Sequence, residues 1–512
     1  MGHHKETLPE KERFEFTPEI RKPIVIIMAI GLLFVVLGLI FGGGGGHDDH
    51  GGGHHGAVKS DLKHTLASHA PVLAQVQNEQ KDAPHSPSEH DKVQSQAQTQ
   101  PGAEKNGEKK GHGAGHVGHG HGHGVKEKRG VVPPPTEAQK AVQGMPEHLE
   151  HVHGSPLLSR LWANLIINGF FFMGISLMAV MFITVSYSAN AGWFVLFQRV
   201  PEAMGHFMPV GFIVLLMVFF IGGHSVYHWL DHEAVANDPI LQGKSAYLNM
   251  PFFVIRELLY FAIWFGMFLM LRNLSRKEDE IGGYEPYLKR VTIAAAFTLI
   301  AALTFSSAAW DWIMSIDAHW FSTMFGVYAF ATCWVSMFAL TSLIIIYLKD
   351  KGYFANVNAS HLHDLGKFMF AFSIFWTYIW FCQFLLIWYA NIPEEGIYFV
   401  ARLQNYPVTF FAAFIMNFIL PFFILLSKSN MRHTPTLVLV AGIILVGHWL
   451  DVYNMVMPGV MKAQGSVGFM EIGAFLLFLG AFLYTTAYFL TKANLIPKKH
   501  PYLKESLLHD YH

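Results

Sequence analysis

Ten stretches of about 20 apolar residues recur along the chain, at approximately 24–41, 164–187, 204–224, 251–271, 291–313, 323–348, 367–390, 408–427, 436–457 and 467–491. The hydrocarbon core of a bilayer is about 30 Å thick and takes about 20 residues of helix to cross. Inside it every backbone N–H and C=O must be satisfied within the segment, which leaves helices for stretches of this kind. The expectation is an all-α integral membrane protein with about ten transmembrane helices. Composition agrees: 52% of the 512 residues are hydrophobic and only 14% charged, and the apolar residues lie in blocks rather than at amphipathic spacing.

An even number of crossings puts both termini on one side, and Lys and Arg indicate which. Arg21, Lys22, Arg272, Arg276, Lys277, Lys289, Arg290, Lys349, Lys351, Lys428, Arg432, Lys498 and Lys499 flank the face shared by the termini. The short loops of the other face hold Lys244, Arg402 and Lys462. The positive-inside rule then makes both termini cytoplasmic. The expected organisation is a cytoplasmic segment 1–23, an uncleaved first span 24–41, an external segment 42–155, a nine-helix membrane domain 156–491 and a cytoplasmic tail 492–512.

A net charge of -1 points neither to nucleic acid nor to an acidic partner. Cys333 and Cys382 each lie in an apolar run, which excludes a disulfide framework, a CxxCH haem attachment and a cysteine ladder for an iron–sulfur cluster. Any redox centre must therefore lie elsewhere than on the cysteines. Segment 42–155 reads GGGGGHDDHGGGHH, QVQNEQ, QSQAQTQ and HGAGHVGHGHGHG. It is too polar and Gly-rich to bury a core, so disorder outside the membrane is expected. Its histidines suit Zn, Cu or Ni, although a solubilising linker accounts for them without a metal.

Ionisable side chains inside spans are costly and face a bundle interior, a cavity or a partner. The tetrad HWLD occurs twice, at 228–231 and 448–451. At about 1.5 Å per residue, His448 and Asp451 lie roughly 18 to 22 Å from the cytoplasmic start of the ninth span. His228 and Asp231 lie past the outer end of the third, with His224 just inside it. Arg256 and Glu257 enter the fourth span, Glu471 the tenth, and Asp311 ends the fifth. The inner half reads as poorer, with His206 and Lys367 near the cytoplasmic ends and Thr332, Ser336, Thr377, Tyr378, Gln383 and Asn417 between.

This one-sided enrichment predicts an outer-half polar cavity centred on His448 and Asp451, with Asp311, Glu257, Arg256, His224 and Glu471 around them. Arg256 beside Glu257 reads equally as a buried ion pair that fixes helix contacts. A histidine near a carboxylate can accept and relay protons. Three functions use such residues: a quinone- or proton-handling subunit of an electron-transport complex, a divalent-metal transporter fed by the His-rich loop, and a haem-binding cytochrome using His224 or His206 with His448. A purely structural subunit is a fourth.

The stretches RLWANLIINGFFFMGIS, WLDHEAVANDPILQGKSAYLNMPFFVIRELLYF, SSAAWDWIMSIDAHWFSTMFG, HDLGKFMFAFSIFWTYIWFCQFLLIWYANIPEE, GHWLDVYNMVMPG and GFMEIGAFLLFLG resemble a membrane subunit of the bacterial alternative complex III, in the wider polysulfide-reductase membrane-subunit (NrfD-like) group. The similarity runs from about Ser155 to the C-terminus, and the His-rich insert lies outside it. The resemblance implies two four-helix bundles plus flanking helices in a bacterial inner membrane. It also implies a quinol:cytochrome c oxidoreductase in which menaquinol passes electrons to haems and iron–sulfur clusters of partner subunits. Those partners are a sister NrfD-like subunit, an iron–sulfur subunit and c-type cytochrome subunits, with a terminal oxidase as a further associate. In this family the better-supported quinol site lies in the sister subunit, so a proton path or a structural role stands beside quinone binding for this chain.

Overall fold

The structure, a computed structural model, describes residues 13–41, 152 and 154–510. The expected disorder of the His-rich segment up to residue 151 lies outside the described residues. Among the described residues ten helices are long and apolar enough to cross a bilayer: α1 Pro18–Phe41, α2 Pro156–Ser188, α3 Val195–Val226, α4 Met250–Ile281, α5 Tyr284–Trp312, α6 Phe325–Asp350, α7 Ala359–Ala390, α8 Pro407–Leu425, α9 Thr434–Gln464 and α10 Phe469–Leu490. The chain is a multi-pass, all-helical membrane protein. Among the described residues the sole strand-like pairing is a backbone bridge between Arg13 and Asn494. That bridge joins the segment before α1 to the one after α10, so both lie at one end of the helices, here called the termini end.

Local sequence sets the helix limits. The Asn249 side chain accepts from the N–H of Phe252 and caps α4, with Pro251 in the first turn where its missing N–H costs nothing. Asn358 caps α7 by accepting from Ser360 and His361. Between α4 and α5 the chain reverses through Gly282 and Gly283, at φ 73° and 89°, a backbone region that side chains with a Cβ rarely adopt.

Helices α2 to α5 form one four-helix bundle and α6 to α9 a second, joined through α2 and α6. The most apolar stretches of these two central helices are 100% and 89% buried, whereas that of α1 is 6% buried. Helix α1 lies on the flank along α10. Their backbones approach closely because Gly31 faces Gly473: a Cβ on Gly31 would meet the Leu477 nitrogen at 2.5 Å, and one on Gly473 the Val35 nitrogen at 2.6 Å. Small residues at such a seam replace the hydrophobic driving force that lipid does not supply.

The tail is docked across the termini end. Glu505 accepts from the Gly192 N–H and the Ser506 hydroxyl from Leu196, beside the first bundle. On the second, Asn358 donates to the His509 carbonyl, and His509 pairs with Asp364 at 2.6 Å.

The termini end also corrects the expectation that it is poor in buried charge. Arg199, Glu202, Arg272, Glu278 and Arg290 are all buried there. Glu202 takes Arg199 at 2.7 Å and Arg290 at 3.2 Å, Arg290 also takes Glu278 at 2.6 Å, and Arg199 pairs with Asp279. The cause is helix length: α3, α4 and α5 continue about two to three turns past their apolar runs at this end, so charges that read as loop flanks stay between helices.

Candidate functional site

The second bundle holds one buried carboxylate surrounded by neutral donors. Asp451 projects from α9 and is 2% exposed. On α6, Tyr328 and Thr332 are one turn apart and share a face. The Thr332 hydroxyl donates to Asp451 Oδ2 at 2.7 Å and the Tyr328 hydroxyl to Oδ1. From α7 the indole N–H of Trp376 reaches Oδ2 at 2.9 Å and the Thr332 oxygen at 3.1 Å. Two helices thus converge on a single side chain of a third.

Asp451 and Tyr328 line a narrow pocket that is partly open to the outside. Its walls are Trp380, Tyr398, Phe399 and Phe410, and Gln383, Arg402 and Asn454 add polar groups. Tyr398, Phe399 and Arg402 come from the helix Pro393–Asn405, which lies between α7 and α8. Apolar faces of this helix turn inward: Tyr398 stacks on Trp320 with ring centres 3.7 Å apart, and the Arg402 guanidinium lies 3.2 Å from the Tyr398 ring centre. Burial pushes the Tyr398 phenol above its ordinary value, so it is a neutral wall.

Arg402 shares the pocket with Asp451 but pairs with Asp317, at 3.2 Å. Its Nε and Nη2 also serve the backbone of α9, reaching the carbonyls of Asn454 at 2.9 Å and Met455 at 3.0 Å, and Nη1 donates to the Tyr398 carbonyl at 2.8 Å. Pro458 lies inside α9 and has no N–H to give to Asn454, so the guanidinium takes that place. The pocket is therefore built around a proline-opened turn.

The nine expected residues divide among four places. Asp451 lines the pocket. His448, one turn closer to the termini end, is fully buried with its ring edge-on to Trp376 at 5.4 Å, and neither ring nitrogen bonds a described residue, Asp451 included.

Arg256, Glu257 and Asp311 gather in the first bundle instead. Arg256 donates to both Asp311 oxygens, at 2.7 and 3.0 Å, and its guanidinium lies 3.9 Å from the Tyr247 ring centre. Glu257 accepts from the Trp312 indole at 2.5 Å. The ion pair that fixes helix contacts thus runs from α4 to α5, to Asp311 rather than to the neighbouring Glu257.

Glu471 closes a third site where α2 and α10 begin. Arg160 grips it bidentately at 2.7 Å through each bond, Asn164 donates at 3.0 Å, and Glu471 accepts from the Gly468 N–H at 2.9 Å. His224, His228 and Asp231 lie at the end opposite the termini. His224 is exposed, His228 sits on a short turn with its ring 6.5 Å from that of His319, and exposed Asp231 caps the helix His232–Asn237 by accepting from Glu233. The first HWLD copy is thus a loop cap and the second lies inside the bundle, as their depths imply.

Tyr328, Trp376, Tyr398, Arg402 and Asn454 were not among the expected site residues. Arg402 had a sequence signal: a proline within a span leaves a carbonyl open four residues before it, and a nearby basic residue can close it. Tyr328 and Trp376 had none, being aromatics in apolar runs. No family model matches the chain, and no curated protein matches it.

Proposed function

We propose that this chain is a membrane subunit of a quinol:cytochrome c oxidoreductase of the alternative complex III kind, in a bacterial inner membrane. Its Asp451 pocket seats a quinone head group or takes up the protons that quinol oxidation releases. The observation that carries this reading is one carboxylate, held by Tyr328, Thr332 and Trp376, in the lining of an aromatic-walled opening.

The chemistry supports it. Oxidising a quinol releases two electrons and two protons, and a chain without a redox centre of its own can assist by positioning the ring and accepting protons. Flat faces of Trp380, Tyr398, Phe399 and Phe410 suit a naphthoquinol ring once they part to admit it; as they stand they leave room for water only. Electrons would pass to iron–sulfur clusters and haems in partner subunits. With the termini cytoplasmic, as Lys and Arg imply, the pocket lies in the periplasmic half.

A divalent-metal site is less well supported, because the Asp451 oxygens already accept from three donors. Replacing Asp451 by Asn in the assembled complex, then measuring quinol:cytochrome c turnover and proton release, tests the reading. Both should fall at least tenfold, a barrier increase of about 1.4 kcal/mol. Unchanged turnover and release would overturn it.

A further inference from the structure

One turn from Asp451 toward the termini end, the second bundle buries polar groups that the protein itself does not satisfy. His448 and Asn417 are both 0% exposed. Neither nitrogen of His448 and neither amide atom of Asn417 has a hydrogen-bond partner among the described residues. Ser373 is 1% exposed, and its hydroxyl is also without a partner. Its position on α7, three residues before Trp376, puts it on the same helix face as the indole that serves Asp451.

The backbone brings Asn417 to the helix that carries His448. Helix α8 contains a π turn, Ile415–Ile419, with Asn417 at its middle. Such a turn adds a residue to the helix and re-aims its side chains, and it recurs at functional sites. Here the Asn417 amide is brought against α9 at Gly447: a Cβ on Gly447 would overlap the amide oxygen and meet the Met416 Cβ at 2.8 Å. Gly447 directly precedes His448. A widened turn on one helix and a missing side chain on the next therefore bring the orphaned Asn417 amide against the residue that precedes His448.

Each unmade hydrogen bond of a buried group costs about 1–3 kcal/mol. Five orphaned atoms in one layer of one bundle are too many to leave unmatched, and buried polar groups are usually completed by water, which makes about three bonds in such sites. We propose that His448, Asn417 and Ser373 form a binding site for internal water, one turn below the Asp451 carboxylate. The site stands on unsatisfied geometry alone and would hold even if Asp451 handled no protons. If it does, the water lengthens the hydrogen-bonded route from the pocket by a turn toward the termini end.

The test is a density map of the full chain in a lipid nanodisc, at a resolution that shows ordered water, for the wild type and for Asn417→Leu. The wild type should show water within hydrogen-bond reach of a His448 ring nitrogen and the Asn417 amide, and the variant should lose it. A dry wild-type layer, or His448 bonded directly to Asn417, would overturn the proposal. Should Asn417→Leu fail to fold, the wild-type map decides by itself. Because this readout is water density and not turnover, it can fail while the proposed function stands, and the reverse.

Discussion

Arg402 donates its Nε–H to the carbonyl of Asn454 at 2.9 Å, the acceptor that Pro458 leaves open in α9. The side chain and the proline are thus one device, and their energies must be coupled. Arg402→Ala should lower stability by about 2–4 kcal/mol, from orphaned carbonyls and an unpaired Asp317. In a Pro458→Ala background residue 458 regains its N–H, and the same substitution should cost less, with a coupling of about 1 kcal/mol. Thermal unfolding of the four proteins in one detergent measures this; simple additivity would separate the two residues.

Arg256 and Asp311 predict a different pattern. Breaking the bidentate pair with Asp311→Leu strands a buried guanidinium and should cost about 3 kcal/mol. Replacing both, Arg256→Met with Asp311→Leu, removes the charge altogether and should recover most of the loss. If the double variant is no more stable than the single one, the pair does more than join α4 to α5.

How far the sequence could be read follows from what lipid demands. A span must be apolar for a fixed length, so all ten crossings were legible, and Asp451 stood out as a charge deep in one of them. Partner choice across helices was not legible. Arg256 has Glu257 beside it in the chain yet turns to Asp311, because adjacent helical residues do not face each other. Arg272 and Arg290 carry the same topological signal whether they flank a span or lie buried against Glu202 and Glu278. The donors of Asp451 were hidden for another reason: in an apolar helix Trp376 and Tyr328 read as filling, and only the fold gives their N–H and O–H a target.

The docked tail should respond to pH through His500. The Tyr502 N–H donates to His500 Nδ1 at 3.1 Å, so Nε2 carries the hydrogen and meets the Tyr187 hydroxyl at 2.8 Å. Burial, reinforced by Arg290, lowers the His500 pKa to about 3. The detached tail would titrate near the ordinary value of about 6.5. Docking free energy from this group is therefore complete above that value and is lost as pH falls from about 6.5 toward 3. Limited proteolysis of the tail should accelerate between pH 7 and 5, by up to about tenfold per pH unit below 6.5. His500→Phe should remove that His500-dependent slope. An equal pH dependence in the variant would assign the effect to other groups.

The donors around Asp451 also predict which substitution isolates its chemistry. A carboxylate there accepts from Trp376 and Thr332 on one oxygen and from Tyr328 on the other. An asparagine can keep its oxygen toward the indole, whose N–H cannot turn away, and direct its NH2 at Tyr328, whose hydroxyl can accept as well as donate. Thr332 retains a second acceptor in the Tyr328 carbonyl, at 3.1 Å. Asp451→Asn should therefore unfold within about 1 kcal/mol of the wild type, while Asp451→Leu leaves the indole and two hydroxyls facing an apolar side chain and should lose about 3 kcal/mol or more. Thermal unfolding of both variants in the purified chain measures the difference. If Asp451→Asn is as damaging as Asp451→Leu, the carboxylate is a structural keystone and a turnover defect in that variant says nothing about protons. If it is stable, a fall in turnover belongs to the lost acid.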